Sequence, residues 1–391
     1  MKVLSLFSGI GAFEVALNKL NIEWELDHYC EIDKFACQSY NCIHGTTDKD
    51  NLKDVTNIDY SKIGDIDLVT YGFPCQDISL AGNQKGFFDE DGNLTRSGLF
   101  FNAADVIRHT NPKFAIFENV KNLTGKKFKA EFETVLSTLD ELGYNTYWKV
   151  LNAKDYGIPQ KRERVFGISI RKDIDHGYTF PLPIKLTLRL KNILEKEVDE
   201  KYYLSEKMFN YAFNIEKDAK GVGFSDAVDK SFINPNVSNT LSTKSLGGHS
   251  QRSGTSTYVC EPYDKCIRVS ELKETIEKNN GELGEGLDLY NRRVINDGIA
   301  KTLGANCGNN GTAGNMMVYK DFRIRKLTPL ECWRLMGFDD EYFYKAEKVN
   351  SNTQLYKQAG NSIVVSVIEA IFESLAIQYP SDFVQRWGED L

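Results

Sequence analysis

No stretch of the 391 residues approaches the ~18 consecutive apolar residues that a membrane-spanning helix requires. Val3-Leu4-Ser5-Leu6-Phe7 after Lys2 resembles the start of an export signal. Glu14 and Asn18 interrupt it, however, and the apolar positions beyond Gly11 fall at helical spacing. Eight cysteines, at 30, 37, 42, 75, 260, 266, 307 and 332, contain no C-x-x-C pair. Cys30, Cys37, Cys42 and His44 form a loose cluster that raises zinc, but core and helix-face positions account for it better, so no metal is expected. The thiols read as reduced, in a cytoplasmic protein. A basic excess is missing too: the net charge is −7 and the pI about 5.5, which alone weakly disfavours a nucleic-acid partner.

What is present is ordinary globular composition, 41% hydrophobic and 26% charged, in a chain long enough for two domains. The basic residues gather locally, at Lys121-Lys126-Lys127-Lys129, Lys161-Arg162-Arg164-Arg171-Lys172, Lys185-Arg189-Lys191 and Lys320-Arg323-Arg325-Lys326. Such patches, not the global sum, set an electrostatic footprint. Through about residue 170, strand-like runs (2–7, 24–30, 66–71, 114–117, 145–151, 165–170) alternate with helix-like ones. The helices are marked by Phe13, Ala16, Leu17 and Leu20, by 33–42, by 97–109 and by 129–142. This alternation predicts an α/β fold with a doubly wound, mostly parallel sheet. From about 185 to 320, Asn, Gly, Ser and Thr dominate and helical periodicity fades, as expected of a second, smaller, irregular β-rich domain. Within it Asn239-Thr240-Leu241-Ser242 resembles Lys301-Thr302-Leu303-Gly304, as a partial repeat or by coincidence. Leu327-Thr328-Pro329-Leu330-Glu331 restarts regular structure as a helix opening. The apolar run from Ser362 to about 378 predicts a buried final helix, with Asn361 opening it. The expected division is 1–184, 185–344 and 345–391.

Chemistry-bearing residues sit where such strands end. Asp67-Leu68-Val69-Thr70-Tyr71-Gly72-Phe73 runs into Pro74-Cys75-Gln76; Phe114-Ala115-Ile116-Phe117 runs into Glu118-Asn119-Val120; Gln160-Lys161-Arg162-Glu163-Arg164 enters another strand. Open α/β sheets bind ligands outside the carboxyl ends of their strands. Cys75 reads either as a buried structural thiol or as a nucleophile, and the polar segment after it, to about Ser97, suits a mobile lid. Glu118, if partly buried, would have a raised pKa. Arg162 and Arg164, alternating on a strand, would point into one cleft. Phe7-Ser8-Gly9-Ile10-Gly11 is a strand-to-helix turn with Glu31 placed to hold a ribose, but Glu14 replaces the third glycine of the dinucleotide fingerprint, favouring another nucleoside cofactor.

Together and in this order, these motifs, with Arg325-Lys326-Leu327-Thr328-Pro329-Leu330-Glu331-Cys332 and Gly360-Asn361-Ser362, resemble the DNA (cytosine-5) methyltransferases of bacterial or phage modification type. The resemblance covers about 1–172 and 323–379. It implies an S-adenosylmethionine-dependent methyltransferase fold with a target-recognition domain, and methyl transfer to carbon 5 of a flipped-out cytosine. Cys75 would add to carbon 6, Glu118 would hold the exocyclic amine and ring nitrogen 3, Arg164 the ring carbonyl, and Arg162 would support the cysteine or a phosphate. S-adenosylmethionine would lie against Phe7, Gly9, Gly11, Glu31, Ile32, Asp54, Leu99 and Asn361. Gln76, Ser79, Arg96 and Thr302 would face double-stranded DNA. Residues Asp89 to Leu94 look like an insertion in the lid. The implied protein is a monomer, and a cognate restriction endonuclease would be a functional partner rather than a physical one. An RNA-acting enzyme and a DNA-binding relative without catalysis are the rival readings.

Overall fold

The computed structural model describes residues 1–74, 87, 95–203 and 322–386, with the backbone of six short strands between 232 and 318. Strands β1 (Lys2–Leu6), β2 (Glu25–Cys30), β3 (Leu68–Tyr71), β4 (Phe114–Val120), β5 (Tyr144–Asn152) and β7 (Glu163–Arg171) form one sheet in the order β2-β1-β3-β4-β7-β5. The two-residue strand β6 (Gln160–Lys161) precedes β7 outside it. β1 pairs in parallel with both β2 and β3, and β3 with β4, whereas β7 runs antiparallel between β4 and β5. The chain leaves β1 toward β2 on one side and returns to β3 on the other. The gap between the ends of β1 and β3 is therefore the topological switch point, the usual ligand crevice of such sheets.

Both sheet faces are buried, and residue alternation shows it. Val3, Leu68, Phe114 and Ile116 enter one core, while Leu4, Val69, Ala115 and Phe117 enter the other. The second core is covered by α3 (Phe100–Thr110) and α4 (Lys129–Glu141). The first is covered by α1 (Ala12–Lys19) and by the C-terminal helices α6 (Pro329–Arg334), α7 (Asp340–Glu347), α8 (Asn352–Asn361) and α9 (Val365–Gln378). Two more helices, α2 (Lys34–His44) after β2 and the one-turn α5 (Leu190–Ile193), complete the described set. Near-continuous apolar strands are what a sheet covered on both faces demands.

Three details bear on the expectations. β4 extends to Val120, which places Glu118 inside the strand rather than past its end. The run Leu327 to Ala346, which begins ahead of position 345 where the last segment is expected to start, packs in the same core as α1 and α9. Asn361 ends α8 and does not open the last helix, which starts four residues later, at Val365, behind its N-cap Val364. The Gly-Asn-Ser sequence reads as a start signal, but it is a helix exit, and Val365 N–H is taken by the Met336 carbonyl at 2.9 Å.

The similarity between the two Thr-Leu segments has a backbone counterpart. Strands Val237–Ser238 and Ile299–Lys301 pair in parallel, Val237 opposite Ile299, and both pair with β6 through Gln160. Asn239-Thr240-Leu241 and Thr302-Leu303 lie outside the described residues. The last strand before the core, Phe322–Lys326, is tied to α6 by the buried Arg325–Glu331 pair, with Nη1–Oε2 2.9 Å and Nη2–Oε1 3.0 Å. Glu331 also closes a capping box with Thr328 at the start of α6, so one carboxylate joins the two regions and begins a helix.

Candidate active site

The exit of β3 is fixed from below. Phe73 is buried among Phe100 (ring centroids 5.5 Å), Phe117 (6.3 Å) and Phe87 (6.4 Å). Burying one such ring stabilises by roughly 2–3 kcal/mol. The Phe73 carbonyl accepts from the buried Asn119 Nδ2 at 3.1 Å, and Asn119 Oδ1 accepts Val120 N–H at 2.8 Å. Pro74 thus leaves a clamped backbone. Cys75, Gln76 and Ser79 lie outside the described residues, as does most of the lid. Of the lid, Phe87 belongs to the aromatic core, and its carbonyl accepts Thr95 N–H at 2.9 Å. The insertion expected at 89–94 lies outside the described residues.

Glu118 stands beside this exit. A Cβ added at Gly72 would lie 3.9 Å from Glu118 Oε2 and 3.9 Å from Ile363 Cδ1, ordinary contact distances that place both side chains against the β3 exit. Arg164 Nε meets Glu118 Oε1 at 3.0 Å, with side chains 19% and 13% exposed. Burial pushes the Glu118 carboxyl upward from its ordinary range, and Arg164 and then Arg162 oppose that shift. β4 and β7 can approach because position 167 is glycine: any Cβ there would fall 2.0 Å from the Phe117 ring. Arg162 is buried and donates Nη2 to the carbonyls of Gly360 (3.2 Å) and Ser362 (2.6 Å), binding the β7 entry to the turn between α8 and α9. Glu163, between the two arginines, faces outward onto Lys121 at 2.9 Å. The alternation holds: two guanidiniums inside, one carboxylate outside.

The other half of the edge surrounds the turn after β1. Phe7, Gly9 and Gly11 have φ of 52°, 57° and 81°, a left-handed path that costs a non-glycine residue such as Phe7 about 1 kcal/mol or more. Ser8 N–H reaches the Cys30 carbonyl at 3.2 Å, and Gly9 N–H donates to Glu31 Oε2 at 2.9 Å. Glu31 Oε1 accepts from Ile32 N–H (2.9 Å) and Asp33 N–H (2.8 Å). Burial raises the Glu31 carboxyl, with those N–H groups pulling it back. Three acceptor positions of the carboxylate are filled and about one remains. Beside it Ile32 is 75% exposed, a large apolar side chain left uncovered.

Asp54 caps a short turn by accepting from Thr56 N–H and Oγ1 at 2.9 and 2.8 Å, which holds its carboxyl below the usual range. Leu99, half-buried, packs against the second core at the start of α3. Arg96 opens the 3₁₀ turn leading to it. Asn361 is exposed at the end of α8, and Thr302 lies outside the described residues. Sequence reasoning missed Asn119 as the clamp on Phe73, although an amide inside an apolar strand was a signal. It also missed Asn51, whose side chain accepts Glu31 N–H at 3.1 Å and donates to the Glu31 carbonyl at 3.0 Å. No local pattern marks Asn51. The cysteine cluster is divided among separate partners: Cys30 on the Lys53 carbonyl, Cys37 on the Glu31 carbonyl, and His44 Nε2 on the Ile10 carbonyl.

The fold and this edge define a class first: an open α/β enzyme with its site at the switch point. Residues 1–376 match the C-5 cytosine-specific DNA methylase family. The chain is 33% identical to the orphan methyltransferase M.SPRI of Bacillus phage SPR, over 97% of this chain and 98% of that protein. It is 31% identical to the type II methyltransferase M.HhaI of Haemophilus parahaemolyticus, over 95% and 93%. Among solved structures, S. pombe Dnmt2 methyltransferase superposes with a TM-score of 0.62 at 22% identity, covering 98% of this chain and all of that one, a likeness of fold. The chain therefore belongs to the C-5 cytosine-specific DNA methylases and is a DNA cytosine-5 methyltransferase. No single helix among the described residues is long and apolar enough to cross a membrane.

Proposed function

We propose that this enzyme transfers the methyl group of S-adenosylmethionine to a cytosine swung out of duplex DNA, through a transient bond between Cys75 and carbon 6. The observation that carries this reading is the Glu118–Arg164 pair at 3.0 Å beside the β3 exit that leads into Pro74-Cys75. Cytosine carbon 5 is too weak a nucleophile by itself. Addition of the Cys75 thiolate to carbon 6 makes carbon 5 enamine-like, which is covalent catalysis. Glu118 holds the exocyclic amine and ring nitrogen 3 as charge develops, and Arg164 holds both Glu118 and the ring carbonyl oxygen. After carbon 5 takes the methyl group, loss of the carbon 5 proton expels the Cys75 sulfur. Asn119 and Arg162 do not touch the base in this scheme; they hold Phe73 and the Gly360–Ser362 turn that frame it.

The switch-point edge suits the cofactor. Glu31 keeps one acceptor position for a ribose hydroxyl, Ile32 offers an exposed apolar side chain to an adenine, and Ser8 Oγ on the glycine turn is buried without a hydrogen bond. The cofactor supplies an electrophilic methyl group on sulfur. Bases are unreachable within a duplex, so flipping must precede the addition. Gln76, Ser79, Arg96 and Thr302 are the residues proposed to face DNA, and the compartment proposed is the cytoplasm.

Replacing Cys75 by Ala should eliminate transfer of labelled methyl groups to DNA while cofactor affinity stays unchanged. Retained transfer refutes the role of Cys75. Each turnover should also release tritium from cytosine carbon 5; label on an exocyclic nitrogen would overturn the mechanism.

A further inference from the structure

Glu31 is followed by the exposed Ile32 and by Asp33, which caps α2 by accepting Phe35 N–H at 2.9 Å and Ala36 N–H at 3.1 Å. The start of that helix is gripped from far along the chain. The Phe35 carbonyl accepts from Asn350 Nδ2 and from Gln358 Nε2 on α8, both at 2.9 Å. Ser39 Oγ accepts from Asn350 Nδ2 at 2.9 Å and donates to Gln358 Oε1 at 3.0 Å, which closes a ring of hydrogen bonds. Ser39, Asn350 and Gln358 are buried, so water does not compete for these bonds. Lys357 adds an ion pair to the second oxygen of Asp33.

The same turn of α8 reaches the other half of the edge. The Gln358 carbonyl accepts Ser362 N–H at 3.0 Å, and the carbonyls of Gly360 and Ser362 hold Arg162, two residues before Arg164. Ile363, next in the chain, lies against the β3 exit at Gly72. The helix is itself anchored, since Trp333 Nε1 donates to the Leu355 carbonyl at 3.0 Å and Tyr356 Oη to the Leu327 carbonyl at 2.5 Å. We propose that Gln358 is a positioning residue for methyl transfer. Its side chain fixes the Ile32 end of the cofactor pocket and its backbone fixes the turn that holds Arg162, so one helical turn sets the spacing between methyl donor and base. An amide is needed because one end donates to Phe35 while the other accepts from Ser39. The proposal rests on the S-adenosylmethionine reading given above, with Ile32 against the adenine.

Calorimetry with S-adenosylhomocysteine on the full chain reads the pocket, and single turnover at saturating S-adenosylmethionine and DNA reads the spacing. Gln358→Met keeps the side-chain length and removes both of its hydrogen bonds. It should weaken S-adenosylhomocysteine about tenfold, the size of one lost hydrogen bond, and lower the saturated rate about tenfold. In an Ile32→Ala background the same substitution should weaken binding by less than about threefold, because the side chain it positions is gone. A residue that only stabilised the fold would act alike in both backgrounds. Lys357→Met, at a half-exposed position, cuts only the tie to Asp33 and keeps the proposal testable if Gln358→Met does not fold. It should weaken binding about threefold, and not at all in the Ile32→Ala background. Additive effects of either substitution with Ile32→Ala overturn the proposal, as does a saturated rate that Gln358→Met leaves unchanged. A wild type that binds no S-adenosylhomocysteine would instead remove the cofactor reading beneath it. An Ile32→Ala variant that binds as tightly as the wild type would remove Ile32 from the pocket, and the proposal with it.

Discussion

Glu31 and Glu118 end neighbouring regions of one sheet edge, and both are carboxylates whose burial raises their pKa, yet they are held in opposite ways. Glu31 is fixed by three backbone N–H groups and by Asn51 on its own backbone. Glu118 is held by side chains, Arg164 on one oxygen, with the other oxygen facing Gly72 across the β3 exit. A backbone cradle cannot swing away, so it suits a partner bound throughout the cycle. A guanidinium can follow a carboxylate whose proton affinity changes as a substrate ring gains and loses charge. In the proposed function the region around Glu31 binds and the region around Glu118 responds.

The largest expected effect breaks that comparison most directly. Glu118→Gln should lower the rate of methyl transfer about 10²–10³-fold, as for the loss of one preorganised charge-stabilising group, with cofactor affinity unchanged. Glu31→Gln should instead raise the cofactor dissociation constant and leave the saturated rate within about threefold. Single-turnover rates and calorimetry separate the two. If Glu31→Gln hits the saturated rate as hard as Glu118→Gln, the division between binding and responding is wrong.

Much of this edge was readable from residue order because motif chemistry sits where strand periodicity stops. Glu118 follows Phe114-Ala115-Ile116-Phe117, and Glu31 follows the second strand, so each carboxylate was found beside an apolar run, although β4 itself continues to Val120. What could not be read depended on distant partners. Arg162 looks equivalent to Arg164 in Arg-Glu-Arg, but its guanidinium is spent on the carbonyls of Gly360 and Ser362, about 200 residues away along the chain. Asn361 looked like a helix start because Gly-Asn-Ser carries cap chemistry. Tertiary hydrogen bonding to Met336 decided otherwise. The antiparallel insertion of β7 left no trace in hydrophobic pattern, since a strand buried on both faces reads alike in either direction.

The binding region has a steric test. Gly11 has φ of 81°, and a Cβ there would lie 2.0 Å from His44 Nε2, inside a packed ring cluster where Tyr40 and His44 centroids are 4.5 Å apart. Gly11→Ala should destabilise the protein by about 3 kcal/mol through strain and overpacking, visible in denaturant unfolding. It should abolish cofactor binding at the same time. Gly9→Ala has the same backbone strain but meets nothing within 4 Å, so its stability loss should be smaller, about 1 kcal/mol. Equal losses would show that backbone conformation alone, not the His44 contact, fixes the turn.

His44 also gives this half a pH dependence. Burial lowers its pKa to about 4, which favours the neutral ring, and its Nε2, 3.2 Å from the Ile10 carbonyl, carries the proton donated there. The folded pKa lies below the unfolded value of about 6.5, so above that pH both states are neutral and the stability is fully present. As pH falls from about 6.5 toward 4 the unfolded chain takes up a proton that the native state refuses, and up to about 3 kcal/mol is lost. Glu14, Glu31 and Glu118, with raised pKa values, oppose this trend in acid. The difference between wild type and His44→Asn therefore isolates the histidine: the wild-type curve should fall more steeply between pH 6.5 and 4.5. Parallel curves would mean that His44 is protonated in the native protein.

The smallest effect sharpens the responding half. Asn119→Ala leaves the Phe73 carbonyl without its amide partner one residue before Pro74, at a cost of about 1–3 kcal/mol if water cannot replace it. Asn119 touches no substrate in the proposed scheme, so its loss acts only through the placement of the chain that carries Cys75. The saturated rate should drop about tenfold, the cofactor dissociation constant should not move, and Asn119→Asp, which keeps the Val120 acceptor but loses the donor, should resemble Ala rather than the wild type. Were Asn119→Asp to retain full rate, the Phe73 contact would be packing alone. The β3 exit would then owe its position to the aromatic cluster of Phe73, Phe87, Phe100 and Phe117, and side-chain clamping would no longer distinguish the two ends of the sheet.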